Sequence, residues 1–147
     1  MDRRRLEEYH ATRDYSDKAF RSSCYAPHVS MYFDTRGNVV ACCQNSKFPL
    51  GNIAQQRLPD IWHGERTKKL RKALQKDSFG AGCQFCEWQI SVGNYLNAFT
   101  RNFDRFKVES ENPDWPRMME FSISNTCNLE CLMCYGELSS SIRARRE

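Results

Sequence analysis

Residues 29–43 read VSMYFDTRGNVVACC. Two short apolar runs, Val29–Asp34 and Val39–Cys43, flank Thr35-Arg36-Gly37-Asn38. Runs rich in Val, Tyr and Phe favour a pleated strand. Gly-Asn at the turn supplies the positive φ angles that a tight connection needs. The stretch therefore predicts a β-hairpin. The hairpin folds the chain back, so Cys24 before the first strand and Cys42 near the end of the second can end close together.

A second pair, Cys83 and Cys86, forms a C-x2-C knuckle between Gly82 and Trp88. Two strand-end thiolates and this knuckle make a four-cysteine site, able to hold zinc or a fully ligated cubane iron–sulfur cluster. Cys43 is the spare. Adjacent strand residues point to opposite faces, so Cys43 is expected to be buried away from the other ligands. The chain has 8 cysteines in 147 residues, and its N-terminus is charged rather than secretory. Metal or redox chemistry is favoured over disulfides, and a cytoplasmic location is expected.

The remaining three cysteines, Cys127, Cys131 and Cys134, stand in the frame C-x3-C-x2-C within EFSISNTCNLECLMCYG. Three thiolates on one short loop can hold three irons of a cubane and leave the fourth open to a small molecule. Ordinary electron-transfer clusters use four cysteines, and structural zinc wants four closed ligands. Before the loop, Met118–Ser124 alternates Met119, Phe121 and Ile123 with polar residues and predicts a strand.

At the triplet the sequence resembles the radical S-adenosylmethionine (radical SAM) enzymes, whose C-x3-C-x2-C signature follows the first strand of a partial (β/α) barrel. Met133 stands where the family often has an aromatic residue. Residues 20–90 resemble the SPASM/twitch module that accompanies many such enzymes. The match runs through Cys24-Tyr25-Ala26-Pro27, Phe33, Gly37–Cys43, Leu50-Gly51-Asn52-Ile53, Asp60-Ile61-Trp62, Leu70-Arg71 and the Gly82–Cys86 knuckle. The resemblance implies an auxiliary [4Fe–4S] cluster on Cys24, Cys42, Cys83 and Cys86. It further implies a radical SAM [4Fe–4S] cluster on Cys127, Cys131 and Cys134 that binds S-adenosyl-L-methionine. The implied activity is reductive cleavage of that cofactor to a 5′-deoxyadenosyl radical, with an electron donor as partner. The substrate class stays open among peptides, sugars and cofactor precursors.

The module precedes the triplet here, whereas in most relatives it follows the barrel. An N-terminal auxiliary module, or the tail of one barrel before the start of a second, would each give this order. A complete (β/α) barrel takes roughly 250 residues. The chain is therefore expected to be a piece of a longer enzyme, inactive alone, with unpaired strand edges at 118–124 and a poorly ordered terminal segment. A zinc-binding interaction module, or an accessory subunit without catalysis, is the alternative reading.

The expected fold is α+β. An N-terminal helical extension spans 1–19, the iron–sulfur domain with a trailing helix 20–108, a proline-marked linker 109–117, and the start of the radical SAM core 118–147. Helices are expected at 3–18, at Leu58–Trp62 with Pro59 in its first turn, at Glu65–Gln75 and at Trp88–Phe106. The Phe stripe of the last reads as packing. His10 and His28 have no partner at metal-ligand spacing. The net charge of +4 is spread out, and the clusters Arg3–Arg5 and Arg143–Arg146 read as solvated faces rather than a nucleic-acid surface. No apolar run approaches the roughly 20 residues of a membrane span.

Overall fold

A computed structural model describes residues 1–136 and 138–146; Glu137 and Glu147, both within the 118–147 segment, lie outside the described residues. The elements are α1 (Arg3–Ala11), α2 (Ala26–Val29), β1 (Ser30–Phe33), β2 (Asn38–Val40), β3 (Gly51–Asn52), α3 (Leu58–Trp62), α4 (Glu65–Gln75) and α5 (Gln84–Ser91). A 3₁₀ turn at Phe99–Phe103, β4 (Met118–Phe121) and α6 (Ser140–Arg146) follow. The fold is a small α+β arrangement with a mixed sheet in the order β3-β2-β1-β4.

The hairpin forms where its turn chemistry places it. Asp34 Oδ1 accepts from Arg36 N and Asn38 N, each at 2.8 Å, and Asp34 N donates to Asn38 O at 3.0 Å. Only Gly37 takes a positive φ, +80°, while Asn38 already belongs to β2. Tyr32 pairs antiparallel with Val40, and Phe33 with Val39. β2 stops at Val40, earlier than the alternation suggests, because Asn45 N turns back onto Cys42 O at 2.9 Å.

α4 follows its pattern in part: Leu70 and Leu74 are buried one turn apart and Arg66, Lys68, Lys69 and Lys72 lie outside, but Arg71 is buried, its Nε donating to Pro27 O at 2.9 Å. Its end is unusual. Ser78 N bonds Ala73 O and Asp77 N bonds Leu74 O, the Schellman arrangement, yet the left-handed position holds Asp77 at φ 56° rather than glycine.

The helix expected over 88–106 does not form as one unit. α5 ends at Ser91, and Gly93 at φ +79° closes it with Gly93 N on Ile90 O and Asn94 N on Gln89 O. That left-handed glycine reverses the chain, and only the 3₁₀ turn resumes helical geometry. The N-terminal helix likewise ends at Ala11 rather than near 18, where Thr12 Oγ1 bonds back to Tyr9 O at 2.8 Å.

The N-terminal residues and the 99–108 segment share one core with the hairpin and α4. Tyr9, Tyr25, Met31, Trp62, Leu70, Leu74, Ile90 and Phe103 are buried in a single cluster. Tyr9 Oη reaches Ser23 O and Thr100 Oγ1 at 2.8 and 2.6 Å. The buried Arg13 bonds Asp104 through Nε at 2.9 Å and lies over the rings of Tyr9, Tyr15 and Tyr25.

β4 does not open a separate sheet. It pairs in parallel with β1 in the register Ser30↔Met118, Met31↔Met119, Tyr32↔Glu120 and Phe33↔Phe121. The Phe33 and Phe121 rings stack at 4.5 Å and 11°. One edge of this strand is therefore paired, not bare, and β4 is the end strand of the sheet. The segment before it is tied down as well: Trp62 Nε1 donates to Pro113 O at 2.7 Å, His28 Nδ1 to Glu111 O at 3.1 Å, and Arg117 N to Val29 O at 2.8 Å. No helix among the described residues is long and apolar enough to cross a membrane.

Candidate metal centre

Three different local structures deliver the four cysteines of the first constellation. Cys24 sits just before α2, and its Sγ accepts from Ala26 N at 3.4 Å. Cys42 lies in the turn after β2. Cys83 is the N-cap of α5 and Cys86 stands in its first turn. Gly82 carries the chain into this knuckle at φ +80°. All four thiols line one apolar-walled cavity of only about 10 Å³, shared with Ala26, Phe79, Phe99 and Phe103.

Burial pushes all four thiols up: Cys83 to about 11, Cys86 to about 12, and Cys24 and Cys42 further still. Mutual repulsion adds to burial. Cys24 is raised by Cys86, Cys42 and Cys83, and Cys42 by Cys86 and Cys83. Left to themselves these groups are protonated thiols, and a metal would bind by displacing their protons.

Two of the sulfurs also face an N–H donor: Ala26 N for Cys24 at 3.4 Å and Asn45 Nδ2 for Cys83 at 3.2 Å. A sulfur that remains a thiol gains little from such a donor, whereas a ligating thiolate gains a charge-assisted bond. The donor set therefore fits a metal–sulfur group. Among the described residues no three His, Cys, Asp or Glu side chains lie close enough to hold a single metal ion.

Cys43 is half-buried and lines a different groove, on the side of Tyr32, Ser122 and Tyr135. It lies in the turn after β2 rather than on a strand, so the turn, not strand alternation, directs it there.

The second constellation is arranged differently. Cys127, Cys131 and Cys134 lie on the loop after β4, with Cys131 exposed and the other two half-buried. The structure does not gather the three into a metal-sized group. α6 closes the loop: Cys127 N donates to Ser140 Oγ at 3.1 Å, Ser139 Oγ donates to Leu129 O at 2.9 Å, and Ile142 is buried against it. Leu129 N points at Cys127 Sγ at 3.4 Å. Ile123, Leu132 and Met133 beside the loop are about nine-tenths exposed (89%, 96% and 92%).

The iron–sulfur cluster-binding family SPASM matches residues 24–87, a span that contains Cys24, Cys42, Cys83 and Cys86. Over that span the chain is similar to the SPASM cluster-binding domain. A curated relative, the S-adenosyl-L-methionine-dependent 2-deoxy-scyllo-inosamine dehydrogenase of Niallia circulans, is 34% identical over 74 residues. That match covers 48% of this chain and 29% of the relative, so the chain spans under a third of that protein's length. No solved structure matches the chain. In three dimensions the matched span is not self-contained, since α1 and the 3₁₀ turn complete its core. Asn45 is the site residue that sequence reading missed. It carries no motif, and its contacts lie 36 and 38 residues away along the chain.

Proposed function

We propose that the chain is an iron–sulfur protein of the radical SAM class, with an auxiliary [4Fe–4S] cluster held in the SPASM module by Cys24, Cys42, Cys83 and Cys86. The observation that carries this reading is the convergence of these four thiols on one apolar cavity inside the SPASM match. The chain's own residues bury the sulfurs, exclude water through Phe79, Phe99 and Phe103, and aim an N–H at Cys24 and at Cys83. Cys127, Cys131 and Cys134 would hold a second cluster with one open iron for S-adenosyl-L-methionine. When bound, that group supplies the electron for reductive cleavage of the cofactor to a 5′-deoxyadenosyl radical. β4 and α6 fix the two ends of the loop that would carry it.

Enzyme activity of the oxidoreductase type, an electron-donor partner and a cytoplasmic location belong to the same proposal. The SPASM match and the dehydrogenase relative support its oxidoreductase part. The substrate is not narrowed beyond the classes named above.

Anaerobic reconstitution tests the reading. The expected product is brown and contains iron and acid-labile sulfide, with one cluster's worth of iron lost in Cys83→Ala. A colourless protein that binds only zinc would establish the structural-module alternative instead. Incubation of the reduced protein with S-adenosyl-L-methionine then tests the triplet. Formation of 5′-deoxyadenosine above a Cys131→Ala control shows a working site, and its absence in a longer chain that completes the barrel would reject the assignment.

A further inference from the structure

Of the two N–H groups bonded to cavity sulfurs, one is the main-chain Ala26 N on Cys24. The other comes from a side chain. Asn45 Nδ2 lies 3.2 Å from Cys83 Sγ and 2.8 Å from Ala81 O. An amide nitrogen has two hydrogens, so one serves the carbonyl and the other the sulfur. The reverse orientation would set Oδ1 against the Ala81 carbonyl oxygen, which fixes the assignment. Oδ1 itself is buried and has no hydrogen-bond partner among the described residues. The residue gives up half of its bonding capacity in this position, a cost that a merely structural asparagine would avoid.

The position is held from several sides. Asn45 is 1% exposed. Its N–H bonds Cys42 O at 2.9 Å, and its carbonyl accepts from Phe48 N at 3.1 Å. A methyl group on Gly82 would stand 2.8 Å from Asn45 Nδ2. The glycine of the knuckle thus leaves room for this amide, and the cysteine turn of the hairpin delivers it.

We infer that Asn45 tunes the auxiliary cluster by donating its side-chain N–H to the Cys83 thiolate, raising the cluster's reduction potential. The inference rests on the reading that Cys24, Cys42, Cys83 and Cys86 hold an iron–sulfur cluster. One-electron reduction adds one unit of negative charge to the iron–sulfur unit and its thiolates. A donor aimed at a ligand sulfur stabilises the reduced form more than the oxidised form. The same bond orients Cys83 before the cluster assembles.

The test uses the full chain with Cys127, Cys131 and Cys134 all changed to alanine, so that only the four-cysteine site is loaded. The loaded protein is titrated with dithionite against redox mediators, and its reduced form is recorded by electron paramagnetic resonance. Asn45→Leu removes the donor, and Asn45→Asp keeps the shape but presents only acceptors. Both are expected to retain iron and sulfide. Both are also expected to shift the reduction equilibrium about tenfold toward the oxidised form, about 59 mV for one electron, and to alter the signal of the reduced cluster. Thr67→Val removes another buried side-chain bond, the 2.7 Å contact with Ile61 O. It is expected to lower stability without moving the potential. Unchanged potentials in both Asn45 variants overturn the inference while leaving the cluster reading intact. Loss of the cluster from both also overturns it, because Asn45 would then be holding the loop rather than tuning the site. A parent protein that takes up no iron rejects the cluster reading itself.

Discussion

Asp77 accepts a hydrogen bond from His10 Nε2 at 2.8 Å while holding the left-handed backbone position at the end of α4. Ser23 Oγ bonds the same carboxylate oxygen. One side chain therefore joins the N-terminal helix, the residue before Cys24 and the end of α4. Asp77→Ala removes these bonds and keeps the backbone strain, with an expected loss of roughly 2 kcal/mol. Asp77→Gly also removes the bonds but relieves the strain and should recover about 1 kcal/mol of that loss. Chemical denaturation of the two variants checks the ordering. Equal losses would show that the φ of 56° carries no cost.

Acid should weaken the fold through His28. Burial and the nearby Arg71 guanidinium push this imidazole down to about 3, against a hydrogen bond to Glu111 O that acts the other way. The unfolded chain takes up a proton near 6.5, whereas the folded chain stays neutral until far lower pH. Stability from this group is therefore complete above about pH 6.5 and is lost as pH falls toward 3. The slope is at most about 1.4 kcal/mol per pH unit. His28→Gln removes the titration, so its unfolding free energy should flatten between pH 6.5 and 4 relative to the parent. Parallel curves would reject the assignment.

Cys42→Ser should cost the auxiliary cluster, and Cys43→Ser should not. Cys42 faces the cavity, and Cys43 faces the groove beside Tyr32 and Tyr135. Iron and sulfide analysis after reconstitution separates them. Retention in Cys42→Ser together with loss in Cys43→Ser would exchange their roles.

Gly82 and Gly93 have nearly the same backbone, φ +80° and +79°, in different surroundings. A methyl on Gly93 meets only Arg5 Nη1 at 3.4 Å, whereas on Gly82 it meets Asn45 Nδ2 at 2.8 Å and Phe48 Cβ at 2.9 Å. Gly93→Ala should cost about 1–2 kcal/mol, the backbone term alone. Gly82→Ala should cost more and also reduce cluster loading. Equal melting temperatures for the two variants would contradict the crowding at Gly82.

The hairpin, α3 and α4 were legible because each carries its own local signal: Asp34 and Gly37 at the turn, Pro59 in a first turn, Leu70 and Leu74 one turn apart. The 88–106 segment misled because its apolar period continues past Gly93, where the backbone turns left-handed. Pairing of β4 with β1 had no local signature, since a parallel partner can lie anywhere along the chain. The four cavity cysteines could be singled out by spacing, but the N–H donors facing them could not. One of those is the main-chain Ala26 N, and the other depends on how Asn45 meets the distant Ala81 and Cys83.

The parallel pairing of β1 and β4 works as a ruler. The hairpin delivers Cys42, and β4 leads directly into the loop of Cys127, so the ladder from Ser30↔Met118 to Phe33↔Phe121 sets how far apart the two cysteine groups stand. A slip of one residue would carry the triplet loop about 3.3 Å along the sheet and turn its strand over. Spacing between the two groups is thus a property of one short stretch of hydrogen bonds, and mutations that alter it need touch no cysteine.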